Sequence, residues 1–180
     1  MGGTAVAIGL GSNRGDRWAH LQAGIDLLAA RSWLRPTAVS PVYETAYVGP
    51  GPAQRDYLNA VLLAECDRRP DALLDALQEA ERERGRRPGT HLRPRPLDCD
   101  LLLFGDRRVR SDRLVVPHPE LARRAFVLEP LAAVAPDWTV PDCGLTVGEL
   151  CAIIRRDGTQ RLRPWPVSLR LPAAGGKELP

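Results

Sequence analysis

The run Leu97-Asp98-Cys99-Asp100-Leu101-Leu102-Leu103-Phe104 sets two carboxylates into an otherwise apolar segment. A short continuous apolar run of this kind reads as a strand deep in a sheet. Residues two apart in a strand project to the same face, so Asp98 and Asp100 stand side by side. Like charges so placed repel, and burying them is costly unless one keeps its proton or a cation compensates. Hard divalent ions such as Mg²⁺ take oxygen ligands and commonly use one or two carboxylates plus phosphates and water. Spacing alone leaves two readings open: an Mg-nucleotide site, or a strand end whose acids reach solvent or pair with nearby arginines.

The flanks supply those arginines. Upstream, Arg82, Arg84, Arg86, Arg87, Arg93 and Arg95 crowd a stretch whose one acid is Glu83. A polyanion is the natural partner of such a patch, whether nucleic acid, an anionic membrane or nucleotide phosphates, and the alternative is a solvated basic loop. Arg95 lies three residues before Asp98, so a guanidinium fork and the acid pair can address one polyphosphate. Downstream, His118 sits in the Pro-restricted turn Val116-Pro117-His118-Pro119, held toward a ligand or simply structural. Arg123 and Arg124 precede Phe126 and read equally as phosphate contacts or as helix-end cations.

Residues 4–10 read as a short buried strand that runs into the turn formers Gly11-Ser12-Asn13 and Gly15-Asp16. The Gly9-Leu10-Gly11 triplet lacks the third glycine and the Lys-Ser/Thr of a P-loop, so it reads as a tight strand-to-helix turn. Trp18, Leu21, Ile25 and Leu28 then fall on one helical face, with Asp16 as N-cap. Two strands follow, at about 38–47 and 57–65, separated by a Gly/Pro-rich crossing. Alternation places Tyr57, Asn59 and Val61 on one face of the second of these, and Leu58, Ala60 and Leu62 on the other. Pro70 opens a second helix carrying Leu73, Leu74, Leu77 and Ala80, which ends near Gly85. The order predicts an α+β class with a ferredoxin-like βαββαβ core, an antiparallel sheet and a C-terminal helical extension. Short helical segments are expected at 119–124 and 127–134, and a further helix at 146–155.

With 180 residues and 44% apolar content, the chain reads as one domain over 1–157 followed by a Pro/Gly-rich tail over 158–180. Cys66, Cys99, Cys143 and Cys151 form no Cys-x-x-Cys pair and read as free thiols. No basic-then-apolar leader and no bilayer-length apolar run is visible, so a cytoplasmic protein is expected.

Together the segments resemble the 6-hydroxymethyl-7,8-dihydropterin pyrophosphokinase family of folate biosynthesis. The similarity rests on Ile8-Gly9-Leu10-Gly11-Ser12-Asn13-Arg14-Gly15-Asp16, Ser40-Pro41-Val42-Tyr43-Glu44-Thr45, Asp56-Tyr57-Leu58-Asn59-Ala60-Val61, Glu81 to Arg86, Pro94-Arg95-Pro96-Leu97-Asp98-Cys99-Asp100, Val116-Pro117-His118-Pro119 and Arg124-Ala125-Phe126-Val127-Leu128. The resemblance implies transfer of pyrophosphate from ATP to the pterin hydroxymethyl group, with AMP leaving. It implies a pterin ring stacked between Tyr57 and Phe126 and hydrogen-bonded by Asn59 and the backbone near Thr45 and Val48. Asp98 and Asp100 would hold two Mg²⁺ ions. ATP contacts would fall on Gln78, Arg95, Leu101, His118 and Arg124, and more loosely on Leu74 and Arg113. Arg95 and a loop arginine, Arg86 or Arg87, would stabilise transferring charge. The resemblance also implies a monomer that takes small molecules and no nucleic acid or membrane.

Several positions depart from the family. Its usual Arg-Trp-Gly-Pro-Arg run here reads His91-Leu92-Arg93-Pro94-Arg95, Ala46-Tyr47 replaces two prolines, and Cys99 replaces an aliphatic residue. The changed loop predicts altered closing kinetics. An RNA-binding sheet is the rival from another class, but a 5% aromatic content offers few stacking platforms. A metal-dependent glycosyltransferase using the same acid pair would need a longer chain.

Overall fold

The computed structural model describes residues 2–47, 52–87 and 93–172. Strand β1 (Thr4–Ser12) leads to helix α1 (Arg17–Ala29), strands β2 (Leu34–Val39) and β3 (Tyr43–Thr45), then β4 (Tyr57–Cys66), helix α2 (Pro70–Glu83) and β5 (Asp98–Phe104). A small hairpin of β6 (Val109–Arg110) and β7 (Val115–Val116) precedes α3 (Ala125–Val134), α4 (Val147–Asp157) and β8 (Leu162–Pro164). The main sheet runs β5-β1-β4-β3-β8, with β2 also on β4, and each of its pairings is antiparallel. The first crossover places β1 and β2 on either side of β4, and the second places β4 and β5 on either side of β1. This interlocked order is the ferredoxin-like core expected from the sequence.

Local chemistry sets the elements. Asp16 caps α1 by accepting from the Ala19 N–H at 3.0 Å, and Leu21, Ile25 and Leu28 face inward with no exposed surface. Each of these burials stabilises the fold by roughly 2 kcal/mol. Pro70 opens α2 at its first position, where its missing N–H costs nothing. Thr146 and Glu149 form a reciprocal capping box on α4, and Gly158 ends that helix with φ 64. Helices α1 and α2 cover one sheet face over Val6, Ile8, Leu58, Leu62 and Phe104. Helices α3 and α4 cover the other over Ala7, Val61, Leu63, Leu102 and Leu103. No described helix is long and apolar enough to cross a membrane.

Three features differ from the sequence expectation. The strand expected at 38–47 is two strands, because the chain leaves the ladder at Ser40-Pro41-Val42: the Ser40 hydroxyl accepts the Val61 N–H at 2.8 Å in place of a backbone carbonyl. The Gly9-Leu10-Gly11 triplet is not a turn; it lies inside β1, pairing with Val61, Ala60 and Asn59 of β4. Within the segment set apart by composition, Leu162–Pro164 pairs with β3, and Trp165 and the buried Leu169 pack on the core. Residues 173–180 lie outside the described residues.

Candidate active site

The outer face of β1 carries glycine at two successive outward positions, which leaves the sheet bare there. A Cβ on Gly11 would sit 3.5 Å from Asn59 Oδ1 and 3.5 Å from Tyr57 Cδ1, and one on Gly9 would sit 3.4 Å from Leu102. Above this floor opens a cavity of about 250 Å³. Tyr57 and Asn59 line it from β4, Thr45 from β3, Asp98, Asp100 and Leu102 from β5, and Arg124 and Phe126 from the start of α3. Alternation in β4 thus delivers what it predicts, with Leu58, Ala60 and Leu62 turned to the opposite core. Asn59 is 6% exposed and donates from Nδ2 to Thr45 Oγ1 at 2.8 Å, which leaves its Oδ1 beside the glycine floor.

A register shift between Ala7 and Ile8 in the β1–β5 ladder makes Leu102 and Leu103 share one face. Asp98, Asp100 and Leu102 point into the cavity, whereas Cys99 and Leu101 are buried in the core beneath α1 and α2, Cys99 being only 7% exposed. Burial, and then the charge of Asp98, raises the Asp100 carboxyl above its ordinary value. Burial also pushes the Cys99 thiol well up, so it is a packed hydrophobe rather than a ligand.

Asp98 Oδ1 accepts from Arg86 Nη1 at 2.9 Å and from Arg95 Nη1 at 2.6 Å. Asp98 is thus paired with arginines, as one of the two sequence readings expects, while no described residue donates a hydrogen bond to Asp100. Of the two loop candidates, Arg86 is the one bound to the pair. Arg95 is fixed through its backbone, its N–H donating to Asn13 Oδ1 at 2.7 Å and its carbonyl accepting from the Asn13 N–H at 3.1 Å. Asn13 in turn donates from Nδ2 to Gln54 Oε1 at 2.9 Å.

Behind Arg86 stands Glu81, 4% exposed on the buried face of α2. Its Oε1 accepts from Arg86 and, at 2.8 Å, from the Cys99 N–H. Burial lifts its carboxyl to about 7, helped by the charge of Asp98 and opposed by the hydrogen bond from Cys99 and the Arg86 charge. Glu81 thereby anchors the loop arginine and the backbone between the two aspartates.

The remaining expected residues lie elsewhere. His118 sits at the outer edge of β5, its N–H donating to the Leu102 carbonyl at 3.0 Å and its Nδ1 accepting from the Glu120 N–H at 3.2 Å. Burial lowers its pKa, against the opposing charge of Asp100. Leu74 and Gln78 are on α2, Leu74 partly buried and Gln78 exposed. Arg113 reaches the same helix through Asp75 at 2.7 Å. None of these four lines the cavity; they gather along the β5 side of the fold. Val48, His91 and Leu92 lie outside the described residues.

Sequence reasoning missed the glycine floor, Glu81, Gln54 and Tyr47. Tyr47 stacks on Tyr57, with ring centroids 6.4 Å apart and planes at 23°. Arg124 lies 5.6 Å over the Phe126 ring, tying the N-cap position of α3 to the apolar wall.

A cavity lined by aromatic rings and bare glycine backbone, with Asp98, Asp100, Arg95 and Arg124 in its wall, has the chemistry of a phosphotransfer site that accepts a flat heterocycle. Comparison with known proteins agrees. The family described as 7,8-dihydro-6-hydroxymethylpterin-pyrophosphokinase matches residues 7–136. A 2-amino-4-hydroxy-6-hydroxymethyldihydropteridine pyrophosphokinase of Pseudomonas aeruginosa is 41% identical over 157 residues, covering 87% of this chain and 96% of that protein. One of Synechocystis is 37% identical over 173 residues, covering 96% and 85%. A crystal structure of an HPPK-DHPS protein in complex with substrates superposes with a TM-score of 0.67 at 11% identity, covering 87% of this chain and 44% of that longer one. The chain belongs to the pterin pyrophosphokinase family.

Proposed function

We propose that the cavity holds the pterin of the pyrophosphokinase reaction and the adjoining β5 edge holds its ATP, the two meeting at Asp98 and Asp100. The chain is a pyrophosphokinase of folate synthesis. The observation that supports this placement is that one cavity joins Tyr57, Asn59 and Phe126 to the carboxylate pair. A bicyclic ring with a polar edge needs apolar faces and an amide with both donor and acceptor, which these residues supply.

Two carboxylates and no third Asp, Glu, His or Cys ligand gather among the described residues. That donor set suits Mg²⁺ ions taking their other oxygens from phosphate and water. When bound, such ions neutralise phosphate charge and make the substrate hydroxyl more acidic. Asp98 and Asp100 would hold them, and cations there would offset the burial and the Asp98 charge that raise Asp100. The hydroxymethyl oxygen attacks the β-phosphorus in line and the bond to the AMP oxygen breaks, so the diphosphate moves as a unit. Arg95, fixed by Asn13, and Arg86, fixed by Glu81, face the charge that grows during transfer. His118 and Arg124 flank Asp100 as nucleotide contacts, with Leu74, Gln78, the Leu101 strand and Arg113 further along the β5 side. The chain acts as a monomer on two small molecules.

The test is AMP release with 6-hydroxymethyl-7,8-dihydropterin, ATP and Mg²⁺, and with each omitted in turn. AMP formed only with all three present is the expected result. Pterin binding without AMP release would overturn the reading and leave a pterin-binding relative.

A further inference from the structure

We propose that Arg17 is a positioning residue for the pterin pocket, one guanidinium that sets the relation between the β3 and β4 walls. The inference rests on the pocket assignment above. Arg17 opens α1, one of the two helices on the sheet face opposite α3 and α4, and is 7% exposed. Its Nη1 donates to the Asp56 carbonyl at 2.7 Å, and its Nη2 meets Glu44 Oε1 at 2.8 Å. Asp56 immediately precedes Tyr57, and Glu44 immediately precedes Thr45. One fork therefore grips the chain one residue ahead of each of two pocket residues, from the side opposite the pocket.

The surroundings make the grip specific. The guanidinium carbon lies 5.2 Å from the centroid of the Trp165 ring, which the Trp165 N–H to Val42 carbonyl bond of 2.8 Å holds against the end of β2–β3. On the solvent side, Arg163 of β8 spans the same two residues, at 3.2 Å from Glu44 and 3.0 Å from Asp56. Arg163 is 72% exposed, so screening weakens it, whereas Arg17 is desolvated and its bonds hold fixed positions. Lysine cannot replace the fork, because a single ammonium does not present two parallel donors to separate acceptors. Thr45 and Tyr57 are cross-strand partners, and Asn59 bonds to Thr45. A change in the β3–β4 relation thus reaches the pterin directly. Among the described residues the polar and ring partners of Arg17 are Asp56, Glu44 and Trp165, not the proposed nucleotide residues Arg95, Arg124 and His118.

The test compares wild-type protein with Arg17→Met, Arg17→Lys, Glu44→Gln and, as a pocket control, Phe126→Ala. Pterin affinity is read by pterin fluorescence in the presence of saturating non-hydrolysable ATP analogue, and nucleotide affinity is read separately. For Arg17→Met, pterin affinity falls about tenfold, KM for pterin rises and kcat at saturation holds, with nucleotide affinity within about twofold. Arg17→Lys and Glu44→Gln shift pterin affinity in the same direction by less. If Phe126→Ala leaves pterin affinity unchanged, the pocket assignment is wrong. If Phe126→Ala weakens it while Arg17→Met and Glu44→Gln do not, the Arg17 inference falls. Equal losses in both ligands, or a lower unfolding temperature alone, also overturn it. Should Arg17→Met fail to fold, Arg17→Lys and Glu44→Gln decide by the same readouts.

Discussion

Replacing Glu81 with glutamine should remove a pH dependence from stability. The Glu81 carboxyl is lifted from 4.5 to about 7 by burial on α2. At about 1.4 kcal/mol per unit this lift corresponds to roughly 3 kcal/mol. For an acid raised in the folded state, the unfolded chain releases its proton first. Below pH 4.5 both states hold the proton and Glu81 costs nothing; as pH rises from there to 7 the penalty grows, and above 7 it is fully present. Arg86→Glu81 and Cys99→Glu81 bonds are what keep the ionised form tolerable. In Glu81→Gln the amide oxygen still accepts the Cys99 N–H, while the amide NH₂ loses the attraction of Arg86. That loss is a constant offset with pH. Urea unfolding of both proteins from pH 5 to 8 isolates the term: wild type should lose about 2–3 kcal/mol relative to the variant across that range. A difference between them that stays flat within about 0.5 kcal/mol would show Glu81 ionising normally beside Arg86, and the account of its burial would be wrong.

Three other outcomes follow from the geometry. Asp100→Asn should cut AMP release by about 10³-fold or more while the unfolding temperature holds or rises, because it removes a buried carboxylate that Asp98 repels; near-wild-type turnover would exclude Asp100 as a ligand. Gly11→Ala should fold normally, since its Cβ meets Asn59 and Tyr57 at ordinary contact distances of 3.5 Å, yet raise KM for the pterin severalfold and leave that for ATP alone; an unchanged pterin KM would remove Gly11 from the pocket floor. Thr146→Ala should cost about 1 kcal/mol by breaking the capping box of α4, with no change in either KM, as read by unfolding and steady-state kinetics.

The fold was largely legible because its apolar periods are clean. The stripe through Leu21, Ile25 and Leu28 and the alternation through Leu58, Ala60 and Leu62 each have one physical solution, and both are buried as predicted. What was not legible depended on partners distant in sequence. Gly9 and Gly11 have poor strand propensity, yet β1 runs on to Ser12 because β4 and β5 flank it on both sides. The break at Ser40 depends on a hydroxyl finding the Val61 N–H across the sheet. Three residues among prolines and arginines carry no period, so β8 is defined only by the edge that β3 offers it.

In the site, the legible residues were charges in an apolar phase, and the missed ones obey the same logic on helices. Asp98 and Asp100 stood out because leucines surround them on a strand. Glu81 follows Leu73 and Leu77 at successive fourth positions, which puts it on the buried stripe of α2. Its neighbours Arg82, Glu83 and Arg84 made it look like one more surface charge. Arg17 likewise shares the stripe of Leu21, Gly24 and Leu28 on α1, disguised by its place in the first turn. A charged side chain in phase with a core has to find partners there, because leaving it unpaired costs more than the fold can spare. Glu81 finds Arg86 and the backbone between the aspartates, and Arg17 finds the residues that precede Thr45 and Tyr57. Arg86 itself reaches the acid pair, whereas the Cys99 backbone and the residues ahead of Thr45 and Tyr57 support the cavity from behind. Phase, more than charge or local composition, is therefore what separates the arginines and glutamates that hold this candidate site from those that only keep the protein in water.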